Sequence, residues 1–374
     1  MLHAVNCFFL TAPLKRCIQE KTKREAVSIR HSNIAIFVPH NGCPHQCSFC
    51  NQKEITGQSL QPHAEDVRSA VETARKSLGE KTRNAEIAFF GGSFTAIDRE
   101  YMLELLDAAS EFVKSGEFGG IRLSTRPDAI SREILDILRS AGVTSIELGA
   151  QSMDEQVLLM NERGHTARDV RTASGLIHEY GFSLGLQMMT GLYGSSAEKD
   201  RYTAAMLAEL KPDTMRIYPT VVMKGTRLYE LYKSGQYLPP DAEQSVPLCA
   251  ELLSFFESKG INVIRLGLHD SGSLRESMAA GAFYPSFREL CESRIMLENA
   301  LKIISTQGIS PGKIIVCINP KSISRFTGQK KSNIIKLGKM GYEIKIYTDD
   351  SLEKYEVVID NTAELNYKRN DVIY

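Results

Sequence analysis

The sequence has 374 residues, of which 45 are basic and 45 acidic, so its formal net charge at pH 7 is zero. A chain of this length can bury a sizeable core and accommodate one large α/β domain and a smaller one. A net charge of zero argues against an electrostatic attraction of the whole protein to polyanions, so any contact with nucleic acid must come from a local basic region. Charged residues interrupt every apolar run before the roughly 18 residues of a membrane-spanning helix, so no membrane partner is expected.

The first 28 residues and the cysteine content bear on cellular location. Residues 1–28 join a short apolar patch, Phe8 to Leu14, to a polar stretch, Lys15 to Arg24. They are predicted to be a flexible N-terminal extension rather than a signal peptide. Eight cysteines are too sparse for a disulfide framework in so long a chain, which favours a reducing, cytoplasmic location.

From Ser32 onward, short apolar runs alternate with amphipathic stretches of helical period. Strands are predicted at 33–38, 86–90, 121–124, 145–148, 183–189, 214–218 and 262–266. Helices are predicted at 64–78, 99–114, 131–141, 167–180, 199–210 and 241–259, one after each of the first six strands. This alternation predicts a complete or partial parallel (β/α) barrel over residues 29–278, with its active site at the carboxyl ends of the strands.

The last part of the chain, residues 279–374, has a different rhythm and predicts a small C-terminal α/β domain. An extended helical stretch covers 282–307. A strand at 313–318, helices at 322–326 and 332–340, and a strand at 342–347 follow, with a further strand possible at 355–359. The predicted order is therefore strand, helix, helix, strand.

Three cysteines lie close together in the loop after the first predicted strand. Cys43, Cys47 and Cys50 are spaced as C-x3-C-x2-C. Three such thiolates suit three corners of a 4Fe-4S cluster and leave its fourth iron open. An open iron can accept the amino and carboxylate groups of S-adenosylmethionine (SAM), whose reductive cleavage gives a 5′-deoxyadenosyl radical.

Zinc is the alternative metal for this loop, with His45 or a distant cysteine as the fourth ligand. Structural zinc sites usually combine two C-x2-C pairs, and this loop has no second pair, so the cluster is favoured. The remaining cysteines show no ligand spacing and are interpreted as buried thiols. They are Cys7, Cys17, Cys249, Cys291 and Cys317.

The loop Gly42-Cys43-Pro44-His45-Gln46-Cys47-Ser48-Phe49-Cys50 resembles the radical SAM signature C-x3-C-x-Φ-C. The resemblance implies that Phe49 packs near the adenine of SAM. It also implies that Gly91-Gly92, after the second strand, hydrogen-bonds the SAM amino group through its backbone, since glycine lets a main chain approach a ligand closely. Taken alone, Gly91-Gly92 would be interpreted as a turn.

Further motifs resemble the radical SAM half of the catalytic subunit of Elongator, which modifies the wobble uridine of tRNA. They are Ser124–Asp128, Glu147–Ser152, Arg163–Thr166, Tyr218–Thr220 and Lys224–Thr226. No acetyltransferase domain is recognisable, so the resemblance implies radical initiation without the full carboxymethylation reaction. Oxygen-independent coproporphyrinogen oxidases share some of these motifs, which keeps a tetrapyrrole substrate open.

The same resemblance implies that Gln151, Arg163 and Gln187 contact the ribose, carboxylate or methionyl part of SAM. From the residues alone, the glutamines could equally be hydrogen-bonded polar residues of the barrel mouth, and Arg163 a solvated surface arginine. Two positions depart from the family's pattern. Ser124, in the predicted SAM pocket, stands where a glutamate is usual, and Tyr193 stands where a turn usually has proline.

The C-terminal unit resembles the core of a KH RNA-binding module, whose GxxG loop clamps the nucleic-acid backbone. Here the loop is Gly328-Gln329-Lys330-Lys331, in which Lys331 replaces the second glycine. Lys330 and Lys331 are therefore candidate RNA-binding residues, and the alternative is a small cap with a solvated lysine face. The basic residues of the region are Lys321, Arg325, Lys330, Lys331, Lys336 and Lys339.

Three hypotheses follow for the function. The first is a radical SAM enzyme in tRNA modification, with a 4Fe-4S cluster and SAM as cofactors, tRNA as a partner and flavodoxin or ferredoxin as reductant. The second is the same chemistry on a small molecule such as a tetrapyrrole. The third is a non-enzymatic RNA-binding iron–sulfur protein, which the departure at Ser124 keeps open.

Overall fold

The structure, a computed structural model, describes residues 32–39, 46–51, 60–360 and 372–373. The predicted N-terminal extension, residues 1–28, lies outside this part of the chain, as does Cys43. The main sheet is built from β1 Ser32–Val38, β2 Ala85–Gly91, β3 Gly120–Thr125, β4 Val143–Gln151, β5 Ser183–Thr190, β6 Thr214–Pro219 and β8 Asn262–Leu266. These strands are parallel and lie in the order β1-β2-β3-β4-β5-β6-β8.

Helices connect consecutive strands of this sheet, because parallel neighbours need a crossover connection. They are Ala64–Leu78, Arg99–Lys114, Arg132–Ser140, Glu155–Met160, Ala167–Glu179, Ala197–Glu209, Arg227–Lys233 and Ala242–Ser258. The sheet curls into a half-barrel with β1 and β8 at its edges, which confirms the predicted partial parallel (β/α) barrel. The expectation of one helix after each of the first six strands is wrong at β4 and at β6, each of which is followed by two helices before the next strand of the sheet.

The strands alternate between two chemically different faces, since successive side chains point to opposite sides of a sheet. The outer face is apolar and packs with the helices into one core: Ile87, Phe89, Ile121, Leu123, Ile146, Leu148, Leu184, Leu186, Met215 and Ile217. The inner face carries polar and charged residues at the intervening positions: Glu86, Arg122, Glu147, Gln187 and Arg216. The helices therefore cover the outside and leave a polar concave surface.

A two-stranded ribbon lies beside the half-barrel and was not predicted from the sequence. It pairs β7 Val221–Met223 with β9 Met278–Gly281 in antiparallel fashion, and the helix Gly272–Ser277 leads into β9. Strands of three and four residues are too short for an alternation pattern to reveal. Short 3-10 turns complete the regular structure at Gly79–Asn84, Phe94–Ala96, Pro127–Ala129, Pro320–Ser322 and Gln329–Lys331.

The C-terminal unit is the predicted small α/β domain. It contains the helices Phe287–Gln307, Ile323–Thr327 and Ser332–Lys339 and the strands β10 Gly312–Ile318, β11 Tyr342–Thr348, β12 Val357–Asp360 and β13 Val372–Ile373. The sheet order is β12-β10-β11-β13, with β10 parallel to β11. Residues 312–348 therefore run strand, helix, helix, strand, while their likeness to a KH module stays a prediction.

One long helix, Phe287–Gln307, joins the two units because it contributes to both hydrophobic cores. Phe287, Cys291 and Ile295 pack into the core of the half-barrel. Its later residues pack against β10 and β11 in the core of the C-terminal unit: Met296, Leu297, Ala300 and Ile304. No helix within the described ranges is long and apolar enough to span a bilayer.

A cluster of charges reinforces this junction around Glu292, whose side chain is buried. Its carboxylate accepts hydrogen bonds from Arg325 (2.6 Å), Arg288 (3.1 Å) and Tyr355 (3.1 Å) and lies 2.9 Å from the Lys354 ammonium. Burial alone would raise the pKa of Glu292, but the cationic donors outweigh it and lower the pKa to about 2. Arg325, one of the predicted basic residues, is therefore part of the junction.

Candidate active site at the carboxyl ends of the strands

Residues 46–51, the described part of the cysteine loop, lie against two helices at the carboxyl end of the half-barrel. Cys47 is buried and Cys50 half-buried, and the Cys50 N–H donates to the Cys47 carbonyl (3.0 Å), which closes a turn. Ser48 bonds Asn161 twice, from its N–H to the carbonyl (3.1 Å) and from its hydroxyl to Oδ1 (2.9 Å). On the other side, the Leu228 N–H donates to the Ser48 carbonyl (2.7 Å). These contacts fix the loop next to the inner face.

The predicted metal site involves three cysteines, of which two lie in the described residues. No group of three histidine, cysteine, aspartate or glutamate side chains converges there as a metal site. Because Cys43 lies outside these ranges, the triad of Cys43, Cys47 and Cys50 stays a prediction.

Arg163 is buried beside Cys47, so the interpretation of a solvated surface arginine is wrong. Its Nη1 donates to Cys47 Sγ (2.9 Å) and its Nη2 to the Gly149 carbonyl (2.6 Å). Its Cζ lies 5.9 Å from the centroid of the Phe49 ring. Arg126, also buried, donates from Nη2 to the Arg163 carbonyl (2.6 Å). The guanidinium is thus held in one orientation at the rim.

Three predicted SAM contacts at this rim have buried polar atoms without a hydrogen-bond partner in the described part of the chain: Ser124 Oγ, Gln151 Oε1 and Arg163 Nε. Gln151 and Arg163 meet at Gly149, which has no side chain to separate them. A Cβ atom at this position would lie 3.0 Å from Gln151 Nε2 and 3.6 Å from Arg163 Nη2. Buried polar groups are normally satisfied. These residues therefore fit a polar ligand that supplies their missing partners.

Gly91 and Gly92 end β2 next to β1. Gly91 has φ +122°, and a Cβ there would lie 2.3 Å from the Val38 carbonyl oxygen. Gly92 donates its N–H to the same oxygen (3.2 Å). The contact with β1 explains the glycine at 91 through the fold alone, and the backbone role of the pair toward SAM stays a prediction.

The Phe49 ring is half-buried in an apolar cluster that includes the ribbon. Tyr193, the second departure from the family's pattern, packs there edge-to-face with Tyr237 at 5.9 Å between centroids. Other members of the cluster are Val222, Leu228, Leu231, Tyr229, Tyr232, Ala279 and Ala280. The cluster borders the rim on the side of β7 and β9, where a flat apolar ligand surface could pack.

Gln187 lies within the inner face, where its amide is already bonded. Its Nε2 donates to Glu147 (3.1 Å), a residue whose side chain is only 1% exposed. Arg216 makes a two-pronged contact with the same carboxylate (2.6 and 2.8 Å), and Arg122 adds a fourth bond (3.2 Å). The predicted SAM contact by Gln187 therefore stays a prediction. It would have to use atoms of the Gln187 amide that are not bonded to Glu147.

The inner layer continues from Arg122 to Glu86 and was not predicted from the sequence. Arg122 Nε donates to Glu86 (2.6 Å), whose other oxygen accepts from Thr144 (2.7 Å) and Ser145 (2.8 Å). Burial alone would raise the pKa of Glu86, but Arg122 and the hydroxyls outweigh it and lower the pKa. Single charged residues between apolar neighbours, as in Ile121-Arg122-Leu123, are the sequence signal that could have found this layer.

His165 is buried behind Arg163 and is neutral. Burial, with the charges of Arg163 and Arg126, lowers the pKa of His165 to about 4. Its Nε2 lies 3.2 Å from the Ala150 carbonyl, which can only accept, so Nε2 carries the proton. The neighbouring Thr166 caps the next helix.

The two lysines predicted to bind RNA lie in the C-terminal unit, outside the rim. Lys330 and Lys331 are exposed and adopt left-handed conformations, with φ 51° and 60°. The loop that carries them touches the segment after β9, because Tyr284 donates its hydroxyl to Gln329 Oε1 (2.8 Å). The lysine loop is therefore connected to the ribbon that borders the rim.

Comparison with known proteins identifies the two parts of the half-barrel. Residues 37–207 match the family model described as the radical SAM superfamily. Residues 212–296 match the model described as the radical SAM C-terminal domain. Together these matches cover more than half of the chain.

Relatives with assigned names point in the same direction. The chain is 29% identical to the tRNA uridine(34) acetyltransferase of Dehalococcoides mccartyi over 239 residues, which are 55% of this chain and 52% of that protein. It is 34% identical to human Elongator complex protein 3 over 199 residues, 48% of this chain and 36% of that protein. The chain spans about half the length of the first such relatives it matches.

The fold is also that of a solved relative. The archaeal Elp3 of Methanocaldococcus infernus, solved without its N-terminal residues, superposes with a TM-score of 0.59 at 22% identity and covers 75% of this chain and 68% of its own. The likeness extends the match from the sequence to the half-barrel itself. From the family matches, the named relatives and this fold, the chain belongs to the radical SAM superfamily of enzymes and resembles the radical SAM part of Elongator's catalytic subunit.

Proposed function

We propose that the chain binds a 4Fe-4S cluster through Cys43, Cys47 and Cys50, cleaves SAM reductively and acts in tRNA modification. The observation that carries the proposal is the set of unsatisfied buried polar atoms of Ser124, Gln151 and Arg163 on the inner rim of a radical SAM half-barrel, where Arg163 also contacts Cys47. When bound, the cluster would supply the electron that breaks a carbon–sulfur bond of SAM. The protein's own residues would bind, orient and shield the reactants.

Each rim residue suits a different group of SAM, according to whether its unsatisfied atom is a donor or an acceptor. The Arg163 Nε–H is a cationic donor, which suits a carboxylate. The Gln151 carbonyl oxygen is an acceptor, which suits an ammonium or a ribose hydroxyl. Phe49 offers an apolar ring for the adenine, and the Gly92 main chain lies at the end of β2, next to the same rim.

The serine at 124 changes this pocket relative to the family pattern. Ser124 is paired in register with Glu147, the neighbouring carboxylate on β4. Glu147 is already bonded to Arg216, Arg122 and Gln187, so it does not replace the missing glutamate. A neutral hydroxyl would therefore contact SAM where a carboxylate is usual.

SAM cleavage by anaerobically reconstituted protein tests this proposal. With dithionite or reduced flavodoxin, the protein should show 4Fe-4S absorbance and release 5′-deoxyadenosine. Protein with a full cluster that releases none would contradict the proposal. Repeating the assay with and without bulk tRNA tests the substrate class in the same experiment.

Support for an RNA substrate comes from the surface of the C-terminal unit. Residues 320–341 contain six basic and no acidic residues in a chain that is neutral overall. Arg325 is bonded to Glu292, and the five lysines are exposed. Exposed lysines bind nucleic acid through its phosphates with release of counterions. Relatives named as tRNA uridine(34) acetyltransferases make tRNA the RNA of choice.

Titration of tRNA binding at several salt concentrations tests this surface. Changing Lys330 and Lys331 to glutamine should weaken binding and reduce the slope of log K against log salt by about 1.5 to 2. The matched control changes Lys76 and Lys81, two exposed lysines of the half-barrel, and should leave the slope unchanged. Equal slopes in both variants would contradict an RNA role for the loop and favour a small substrate such as a tetrapyrrole.

A further inference from the structure

Arg163 makes a contact that the binding of SAM does not explain, because its Nη1 faces a cysteine sulfur and not the space left for SAM. It is a buried cation, and no ion pair within the described ranges joins it to a carboxylate of the protein. Buried charges require a compensating partner. The partner that the structure provides is the sulfur of Cys47, 2.9 Å from Nη1.

We infer that Arg163 is a positioning residue for the iron–sulfur cluster, which donates an N–H···S hydrogen bond to the ligand Cys47 and raises the reduction potential of the cluster. The inference rests on the proposed function, since it requires that Cys47 hold a cluster. It assigns Nη1 to the cluster and leaves Nε as the donor for SAM.

Bonds within the protein hold this donor in place. Nη2 is bonded to the Gly149 carbonyl (2.6 Å), and the Arg163 carbonyl accepts from Arg126 (2.6 Å). Arg126 is held in turn by both oxygens of Asp128 (2.9 and 3.0 Å). Because Asp128 pairs with Arg126, it does not neutralise Arg163. The guanidinium is therefore oriented with one N–H toward the sulfur by contacts that the protein itself supplies.

The sign of the effect follows from the charge of the cluster. Reduction adds one negative charge, and a cation next to a ligand sulfur stabilises the reduced form more than the oxidised form. Hydrogen bonds to the sulfurs and local charge are established determinants of cluster potential. Burial strengthens the interaction because the effective dielectric constant is lower than in water.

Redox titration in the absence of SAM, followed by electron paramagnetic resonance, measures the effect directly. In Arg163→Gln, the ratio of reduced to oxidised cluster at the wild-type midpoint should fall about tenfold, which corresponds to ~59 mV for one electron. Arg163→Lys keeps a cationic donor and should show a smaller shift. Arg201→Gln removes an exposed arginine that pairs with Glu251 and should leave the potential unchanged.

Two outcomes separate this inference from the proposed function. Wild-type protein that takes up no cluster contradicts the proposed function. A fully loaded Arg163→Gln cluster with the wild-type potential overturns the role of Arg163 alone. If Arg163→Gln does not fold, the comparison of wild-type protein with Arg163→Lys tests the inference instead. In resonance Raman spectra, the iron–thiolate stretch of the wild type should shift in D2O, and that of Arg163→Lys should shift less. Identical reduction potentials and identical D2O shifts in these two proteins would overturn the inference.

Discussion

The rim of the half-barrel and the layer of side chains beneath it both contain buried polar residues, but the two regions differ in whether those residues have hydrogen-bond partners. In the layer, carboxylates, guanidinium groups and an amide bond one another: Glu86, Arg122, Glu147, Gln187 and Arg216. At the rim, Ser124, Gln151 and Arg163 keep buried atoms without partners among the described residues. Buried hydroxyls on three helices, at Ser110, Ser174 and Ser245, also lack partners in the described part of the chain, so a single unsatisfied atom does not mark a ligand site. The difference teaches that several unsatisfied polar atoms at the ends of the strands, rather than polarity itself, mark it.

The comparison also separates two kinds of dependence on a side chain. A residue of the layer stabilises the fold, because its removal leaves a buried charge without a partner. At the rim, Ser124 has an unsatisfied hydroxyl and no hydrogen bond of that group to lose among the described residues, so its substitution should affect cofactor binding more than stability. Substitutions in each region can break this distinction or sharpen it.

The largest effect is expected at the rim from Cys47→Ala. Loss of a cluster ligand should reduce both iron content and 5′-deoxyadenosine release to background, since thiolate is the ligand that such clusters use. Iron analysis and the cleavage assay measure the two quantities. Cys317→Ala, at a buried cysteine of the C-terminal unit, is the control and should keep both. A variant that lacks Cys47 but retains a full cluster would contradict the proposal that the cluster binds at the rim.

In the layer, Glu147→Gln should lower the free energy of unfolding by about 3–5 kcal/mol, because Arg216 and Arg122 lose the anion that compensates their buried charges. Urea denaturation followed by circular dichroism measures the change. The double variant Glu147→Gln, Arg216→Met should recover part of the loss. A cost below about 1 kcal/mol for the single variant would contradict the separation of rim and layer.

Asp200 makes the stability of the half-barrel depend on pH, because its carboxylate holds the loop that follows β5. Its carboxylate accepts from the Gly191 N–H (2.9 Å) and the Ser195 hydroxyl (2.6 Å). Burial raises the pKa of Asp200 from 3.8 to about 6, so the folded state binds the proton more tightly than the unfolded state. The resulting stabilisation is complete below pH 3.8 and is lost as the pH rises through about 6.

Unfolding of wild-type protein and Asp200→Asn between pH 4 and 7.5 tests this dependence. The wild type should lose up to about 3 kcal/mol relative to the variant as the pH rises, because one pKa unit corresponds to about 1.4 kcal/mol. The variant cannot titrate at this position and supplies the reference curve. Parallel curves for the two proteins would show that Asp200 titrates normally.

The smallest effect on stability is expected from Ser124→Ala at the rim. Its Oγ makes no hydrogen bond to the described residues, so the free energy of unfolding should change by less than about 0.5 kcal/mol. SAM should nevertheless perturb the paramagnetic resonance spectrum of the reduced cluster at higher concentrations than in the wild type. Thr125→Val is the control, since the Thr125 hydroxyl is bonded to Thr95 (2.6 Å) and its loss should cost about 1 kcal/mol.

The parallel half-barrel was predictable because long, strongly periodic segments carry a clear signal. The strand predicted at 183–189 and the helix predicted at 99–114 agree with the structure to within one residue. The ribbon of β7 and β9 was missed, since its stability comes from packing against the cysteine loop and the helix Arg227–Lys233 rather than from local sequence.

The candidate site was predicted unevenly for the same reason. The cysteine spacing is local, and family resemblance could point to Ser124, Gln151 and Arg163. From the residues alone, Arg163 was better interpreted as a surface residue, because burial depends on the elements that pack around it. The interior ion network brings together Glu86, Arg122, Glu147 and Arg216 from separate strands, and no spacing within one segment encodes such a contact.

The sequence by itself determined the thiolate loop and the alternation of strands and helices, and hence a complete or partial parallel barrel of the radical SAM type. Those features depend on residue type and on spacing over a few positions, which the chain specifies locally. Only the tertiary structure decided that Gln187 bonds Glu147, that Arg325 belongs to the junction, and that Arg163 donates to Cys47. Partnership between distant polar groups depends on which of them share a buried space, and the packed fold alone creates that space.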